Sequence, residues 1–190
     1  MESSVRTAIL VIDMVNDFVT GVIACDRAQR IIPNQARLLD AARRIGAPVV
    51  YVGDAHLPTD FELKIWGEHA MRGTAGADII PELPTQPGDY ILEKRTYDAF
   101  YETGLDMLLR KLDISTVCIT GLHTNMCDRH TAASALFRGY EIVVPDDCVD
   151  AFTEEEHLDG LDYLRRVYGA EITRADALID ASSSESSLVR

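Results

Sequence analysis

Three residues of the chain have side chains suited to chemistry, and each lies at or just past the end of a short apolar run. Cys127 stands in GLHTNMCDRHTA (121–132), just past the run TVCITG (116–121) and at the expected start of a helix. A helix N-terminus presents free N–H groups and positive potential, which lower a thiol's pKa and make it nucleophilic. The competing reading is a small buried hydrophobe. Lys94 closes YILEK (90–94) and is one of only three lysines, with Lys64 and Lys111. A fixed cation there would hold a nearby thiol as thiolate, whereas most lysines are solvated surface charges. Asp13 ends TAILVID (7–13). Its carboxylate belongs either at the carboxyl edge of a sheet, where α/β proteins bind ligands, or on the free N–H groups of the next turn.

Asp54, His56 and His69 are the candidate metal ligands. Asp-x-His leaving the run PVVYVGD (48–54) puts two ligating side chains on one face. His69 would return from the irregular segment 55–88 to complete three protein ligands and leave positions open for water or substrate. Such a set accepts zinc, iron or manganese. Surface histidines are the alternative. His130 and His157 fall on expected helices and read as structural or solvated, and Phe18 and Trp66 as aromatics of the core.

Short β-rich runs alternate with helical periods, which positions these residues. Strands are expected at 7–13, 48–54, 90–94, 116–121, 141–144 and 171–173. Leu38, Ala42 and Ile45 mark one helix, ended by Gly46, and Leu105, Leu108, Leu109 and Leu112 mark another. A third runs from Asp128 to Arg138. Thr153 and Glu156 form a capping box ahead of a fourth, which Gly169 stops. The pattern implies an α/β fold: a three-layer α/β/α sandwich of Rossmann-like topology around a mostly parallel sheet of about six strands. One domain is expected over 1–181, followed by a polar, disordered tail at 182–190. Segment 55–88 carries four prolines and no clean period, and a loop that long is usually functional.

Composition excludes several classes. The 190 residues are 47% hydrophobic with net charge −13, which suits a soluble domain and argues against non-specific nucleic-acid binding. The Lys-poor, acidic surface fits a salt-loving source as well as it fits an ordinary acidic protein. No stretch approaches the roughly 20 apolar residues of a membrane helix, and the first apolar run lacks a basic leader. Four widely spaced cysteines (Cys25, Cys118, Cys127, Cys148) without a CxxC pair are expected to be free thiols in a reducing cytoplasm, with all but Cys127 packed as small hydrophobes. The stretch DMVNDFVTG after the first strand lacks GxGxxG, so no dinucleotide cradle is expected.

Taken together, AILVIDMVNDF (8–18), VVYVGDAH (49–56), WGEHAMRGTAGADIIPEL (66–83), ILEKRTYDAF (91–100) and the run from Val117 to Phe152 resemble the isochorismatase-like cysteine hydrolases, and within them the nicotinamidase branch. The resemblance implies a catalytic triad of Asp13, Lys94 and Cys127, in which Asp13 takes the thiol proton and passes it to the departing amine. It implies a cis peptide between Leu122 and His123, and an oxyanion hole made by the backbone N–H groups of His123 and Cys127. It also implies one divalent ion, zinc by preference, on Asp54, His56 and His69, a pyridine ring held between Phe18 and Trp66, and assembly as a homodimer or homotetramer. The implied reaction is hydrolysis of nicotinamide to nicotinic acid and ammonia through a cysteine thioester.

The chain departs from that branch at three points. Ala55 stands where these enzymes carry Trp, the spacing from His56 to His69 is short, and His123 replaces a small residue. A metal-independent relative acting on another small-molecule C–N bond, ureido, carbamoyl or biuret-type, is the second reading.

Overall fold

A computed structural model describes residues 6–188, with side chains to residue 182. In chain order its elements are β1 (Thr7–Ile12), α1 (Asn16–Val19), α2 (Ala28–Arg44), β2 (Val49–Asp54), α3 (Leu63–Trp66), β3 (Tyr90–Lys94), α4 (Leu105–Lys111), β4 (Thr116–Leu122), α5 (Cys127–Phe137), β5 (Glu141–Pro145), β6 (Val149–Asp150), α6 (Glu154–Tyr168), β7 (Glu171–Thr173) and α7 (Ala175–Leu188). The strands form one sheet in the order β3-β2-β1-β4-β5-β7, with β6 paired to the end of β4. Every pairing among them is parallel.

The period-two alternation of β1 divides the interior into two cores. Ala8, Leu10 and Ile12 pack with Leu105 and Leu109 of α4, Ala132 and Ala135 of α5, and Leu161 and Leu164 of α6. Ile9 and Val11 face the other way, onto Ile31, Leu38 and Leu39 of α2 and onto Ala175 and Leu178 of α7. With both faces covered, central strands read as continuous apolar runs, and all seven residues of β4 are buried. The result is the expected three-layer α/β/α architecture.

Strand order reverses between β1 and β4, and the crevice beyond their carboxyl ends is where such sheets bind ligands. The chain is built for close approach there. Gly121 of β4 has φ 124°, and a Cβ at that position would collide with the carbonyl oxygen of Ile12. Asp13, one residue past β1, takes φ 54°, which turns the backbone at the strand's end.

The expected strands and helices are present, with differences of extent. A seventh strand, the two-residue β6, was too short to give an alternation signal. Helix α2 begins at Ala28, well before the stretch marked by Leu38–Ile45, and contains Pro33 in its first half. The capping box at Thr153 and Glu156 and the left-handed Gly169 bound α6 as expected. From residue 182 the backbone does not form the irregular tail read from composition. It extends α7 to Leu188, propagated from the turns that Ala175, Leu178 and Ile179 pack onto α2. Residues 189–190 lie outside those described.

Segment 55–88 is irregular but fastened. Besides α3 it holds a 3-10 turn at Ala75–Ala77, a parallel bridge between His56 and Met71, and an antiparallel bridge between Val15 and Ile79. All four cysteines are buried free thiols. Among the described residues no helix is long and apolar enough to cross a membrane.

Candidate active site

The acid, the amine and the thiol singled out in the sequence meet at the switch point. Lys94 Nζ lies 2.7 Å from Asp13 Oδ2 and 2.7 Å from Asp54 Oδ1, and donates to Cys127 Sγ at 3.7 Å. The thiol donates in turn to the Asp13 carboxylate. Parallel register explains the meeting: β1, β2 and β3 are adjacent and all end at this rim, with Asp54 opposite Lys94. The other Asp13 oxygen accepts the backbone N–H of Asp54 at 2.8 Å. Cys127 opens α5 one turn beyond β4.

Burial dominates the electrostatics. Asp13 is fully enclosed; desolvation, then the neighbouring Asp54 carboxylate, raises its pKa to about 7 against the pull of Lys94. The same causes act on Cys127: burial pushes the thiol well above its ordinary value, with the carboxylates of Asp13 and Asp54 adding to it and Lys94 opposing. This corrects the expectation that the helix N-terminus and Lys94 hold a thiolate. The resting group is a thiol hydrogen-bonded to a carboxylate whose affinity for its proton is raised. Lys94 stays charged, because the two acids outweigh its desolvation. Asp128, beside the nucleophile, is fully buried with neither carboxyl oxygen hydrogen-bonded among the described residues, and burial pushes its pKa well up.

Asp54 links this trio to a second cluster. Potential ligand atoms of Asp54, His56, Glu62 and His69 all lie within 4.8 Å of one another, and all four residues are buried. His69 reaches His56 because His56 donates its N–H to Ala70 O and Arg72 donates to His56 O, both at 2.9 Å; Asp17 Oδ2 also holds the Ala70 N–H at 2.7 Å. The short His56–His69 spacing therefore closes the set. Glu62 is an addition that the sequence reading missed: its Oε1 accepts the Tyr97 N–H at 3.1 Å, and its Oε2 lies 4.0 Å from His56 Nε2.

The donor set fits a divalent cation. His69 Nδ1 is 2.9 Å from Gly67 O and His56 Nδ1 is 3.1 Å from Asp60 Oδ2, so each imidazole turns Nε2 to the cluster. His56 Nε2 is buried with no hydrogen bond among the described residues. Desolvation raises the Glu62 carboxyl, and Asp54 adds to it. At His56 burial lowers the pKa, but Asp54 and Asp60 outweigh it and the net shift is upward. Both shifts mark a pocket short of positive charge. Asp60, which orients His56, is itself held by the Arg95 guanidinium and by the Leu57 N–H at 2.9 Å. Removing such an orienting carboxylate commonly costs a metal site about 10- to 100-fold in affinity. Asp60→Ala is therefore expected to weaken divalent-metal binding in that range, measured by titration against a chromogenic chelator; unchanged affinity would show that Asp60 does not orient the ligand.

A small cavity adjoins both clusters. Cys127, Asp54, Glu62, His69 and His123 line it, with Phe18, Trp66, Tyr97 and Phe152 among its aromatic walls. Phe18 is buried, its ring edge-on to His69 and to His123. Trp66, more than a third exposed, donates Nε1–H to Tyr97 Oη at 2.9 Å and stacks on Phe152 at 6.2 Å. Phe152 stacks in turn on His123 at 4.2 Å. Phe152 and Tyr97 were not singled out from the sequence, although both lie in stretches that carry the family resemblance. The Leu122–His123 peptide is cis. Thr124 N–H donates to Asp150 O, and Arg27 pairs with the Asp150 carboxylate at 2.7 Å, which fixes the turn before α5. The backbone N–H groups of His123 and Cys127 have no acceptor among the described residues.

The isochorismatase domain profile matches residues 7–177. A solved N-carbamoylsarcosine amidase from Thermoplasma acidophilum is 44% identical, with TM-score 0.86 over 90% of this chain and 97% of that one. Nicotinamidase 3 of Arabidopsis thaliana is 35% identical over 79% of this chain and 76% of that protein. A Pyrococcus horikoshii pyrazinamidase, solved in complex with zinc, is 26% identical with TM-score 0.84, covering 89% of this chain and 99% of that one.

Proposed function

The chain belongs to the isochorismatase family, and from that premise we propose that it is a cysteine-dependent amidohydrolase that cleaves a small heteroaromatic carboxamide of the nicotinamide type. The observation that carries this reading is the Lys94 ammonium, 2.7 Å from both Asp13 and Asp54 and 3.7 Å from the sulfur of Cys127, which itself lines a cavity together with Asp54, Glu62 and His69.

The chemistry follows from the proton and the sulfur. As Cys127 Sγ attacks the amide carbon, its proton passes to Asp13, whose raised pKa suits it to accept a proton near neutrality and release it again. Charge developing on the carbonyl oxygen is met by the free N–H groups of His123 and Cys127. A preorganised donor of this kind is worth about 3 kcal/mol in comparable sites. Asp13 then protonates the departing nitrogen, and ammonia leaves a Cys127 thioester. Water, deprotonated by Asp13, releases the acid. Lys94 stays charged throughout and offsets the carboxylates around it. Asp54, His56, Glu62 and His69 would hold one divalent ion, zinc being supported by the pyrazinamidase relative. Bound there, the ion supplies an electrophilic anchor for a ring nitrogen, so that the carboxamide faces the sulfur.

A second reading, hydrolysis of an open-chain N-carbamoyl compound, is favoured by the 44% identity to the carbamoylsarcosine amidase and by Phe152 and His123 narrowing the ring slot. Ammonia release from nicotinamide and from N-carbamoylglycine, each before and after chelation, separates the two. The leading reading predicts nicotinate and ammonia in equal amounts, lost on chelation and regained with zinc. Turnover of the ureido compound alone, indifferent to chelation, would replace it by the second.

A further inference from the structure

Building on the metal-bearing amidohydrolase reading, we infer that Glu62 is a positioning residue that makes the Trp66–Tyr97 wall of the cavity depend on occupation of the metal site. Its carboxylate is divided between the two. Oε1 accepts the Tyr97 N–H at 3.1 Å, while Oε2 lies 4.0 Å from His56 Nε2. The Glu62 carbonyl accepts the Trp66 N–H at 3.0 Å, and Trp66 Nε1–H donates in turn to Tyr97 Oη at 2.9 Å. Glu62, Tyr97 and Trp66 thus close a ring of contacts, and all three line the cavity.

Little else holds this wall in place. Helix α3 contains no buried residue; Phe61 before it is 73% exposed and Ile65 within it 63%. Among the described residues, every side-chain hydrogen bond from 61–66 to the body of the fold is made by Glu62 or Trp66. Behind Trp66, Gly67 takes φ 77°, and its carbonyl lies 2.9 Å from His69 Nδ1. Trp66 therefore rides on a short bridge between two members of the ligand set, Glu62 and His69. Occupation of the site changes the force on that bridge. Without a cation, the Glu62 carboxyl is buried beside the Asp54 carboxylate, which opposes its charge. A divalent ion favours the charge and so the arrangement in which Glu62 faces the cluster and holds Tyr97. An ion shifts such an equilibrium by binding one arrangement better than the other. The coupling is reciprocal: a ring seated against Trp66 strengthens the hold on the ion as much as the ion strengthens the hold on the ring.

Trp66 is the chain's one tryptophan, so its emission reports the wall directly. Zinc, with a filled d shell and no redox chemistry, suits the titration. Chelator-treated wild type is titrated with zinc while Trp66 emission and its quenching by acrylamide are followed. A chromogenic chelator measures binding independently. Emission is expected to shift to shorter wavelength and to lose part of its acrylamide quenching, saturating together with zinc binding. Glu62→Gln keeps an oxygen for the Tyr97 N–H and gives up the charge. At saturating zinc it is expected to bind the ion through Asp54, His56 and His69 and to leave emission unmoved. A zinc-dependent shift as large in Glu62→Gln as in wild type would overturn the inference. So would wild type that binds zinc with no change at Trp66, a result that stands whether or not the variant folds. Either outcome leaves the amidohydrolase reading intact. Failure of wild type to bind zinc would overturn the metal-bearing reading and the inference with it.

Discussion

Cys127→Ala is expected to abolish amide hydrolysis, by about 10⁴-fold or more, while the protein stays folded. Among the described residues, the sulfur is the one thiol or hydroxyl nucleophile in contact with Lys94 and lining the cavity beside it. The other thiols cannot stand in for it: Cys25 and Cys148 pack in the opposite core with Cys118, and burial drives the Cys118 thiol up to about 12. Folding is expected to change by no more than about 1–2 kcal/mol, because the substitution removes one sulfur from a well-packed site. Ammonia release measured alongside a urea unfolding curve separates the two effects. Residual hydrolysis within tenfold of wild type would show that Cys127 is not the attacking group.

Lys94→Met is expected to damage both function and fold. The substitution keeps the length of the side chain and deletes the charge that lies 2.7 Å from two buried carboxylates. Breaking a buried pair by removing one partner typically costs about 3–5 kcal/mol, since the remaining charge is left without compensation. Here two acids share one amine, so part of the loss is relieved when Asp13, already raised to about 7, takes up a proton. A protonated Asp13 cannot accept the thiol proton, so the relief that preserves the fold removes the base. Turnover should fall at least 10³-fold and the unfolding midpoint should drop clearly. Wild-type stability together with wild-type kcat would contradict the ion-pair network.

Much of this site was legible in the sequence. Asp13, Asp54 and Lys94 each end an apolar run, and in a parallel sheet with crossovers all such ends share one rim, so their convergence follows from strand direction alone. Cys127 follows the same logic through the strand that precedes it. Glu62, Tyr97 and Phe152 were not legible. The first lies within the segment that lacks a period, where only the folded path decides what faces what. The other two sit in loops beyond strand ends. The direction of the Cys127 shift was also missed: position at a helix N-terminus argues for a low pKa, but complete burial between carboxylates is a tertiary property that reverses the sign. The continuation of α7 past residue 182 was hidden in the same way, since a serine-rich composition reads as coil until packing of the preceding turns supports a helix.

The central claim is that the Cys127 sulfur forms a covalent bond to the acyl group it removes from nitrogen. Acid quenching during steady turnover of a carboxamide, followed by intact-mass and peptide mass spectrometry, tests this most directly. The account predicts a mass increase equal to the acyl group, located on the peptide containing Cys127 and removed by hydroxylamine. Rapid turnover with an unmodified Cys127, or an acyl group found on any other residue, would contradict it.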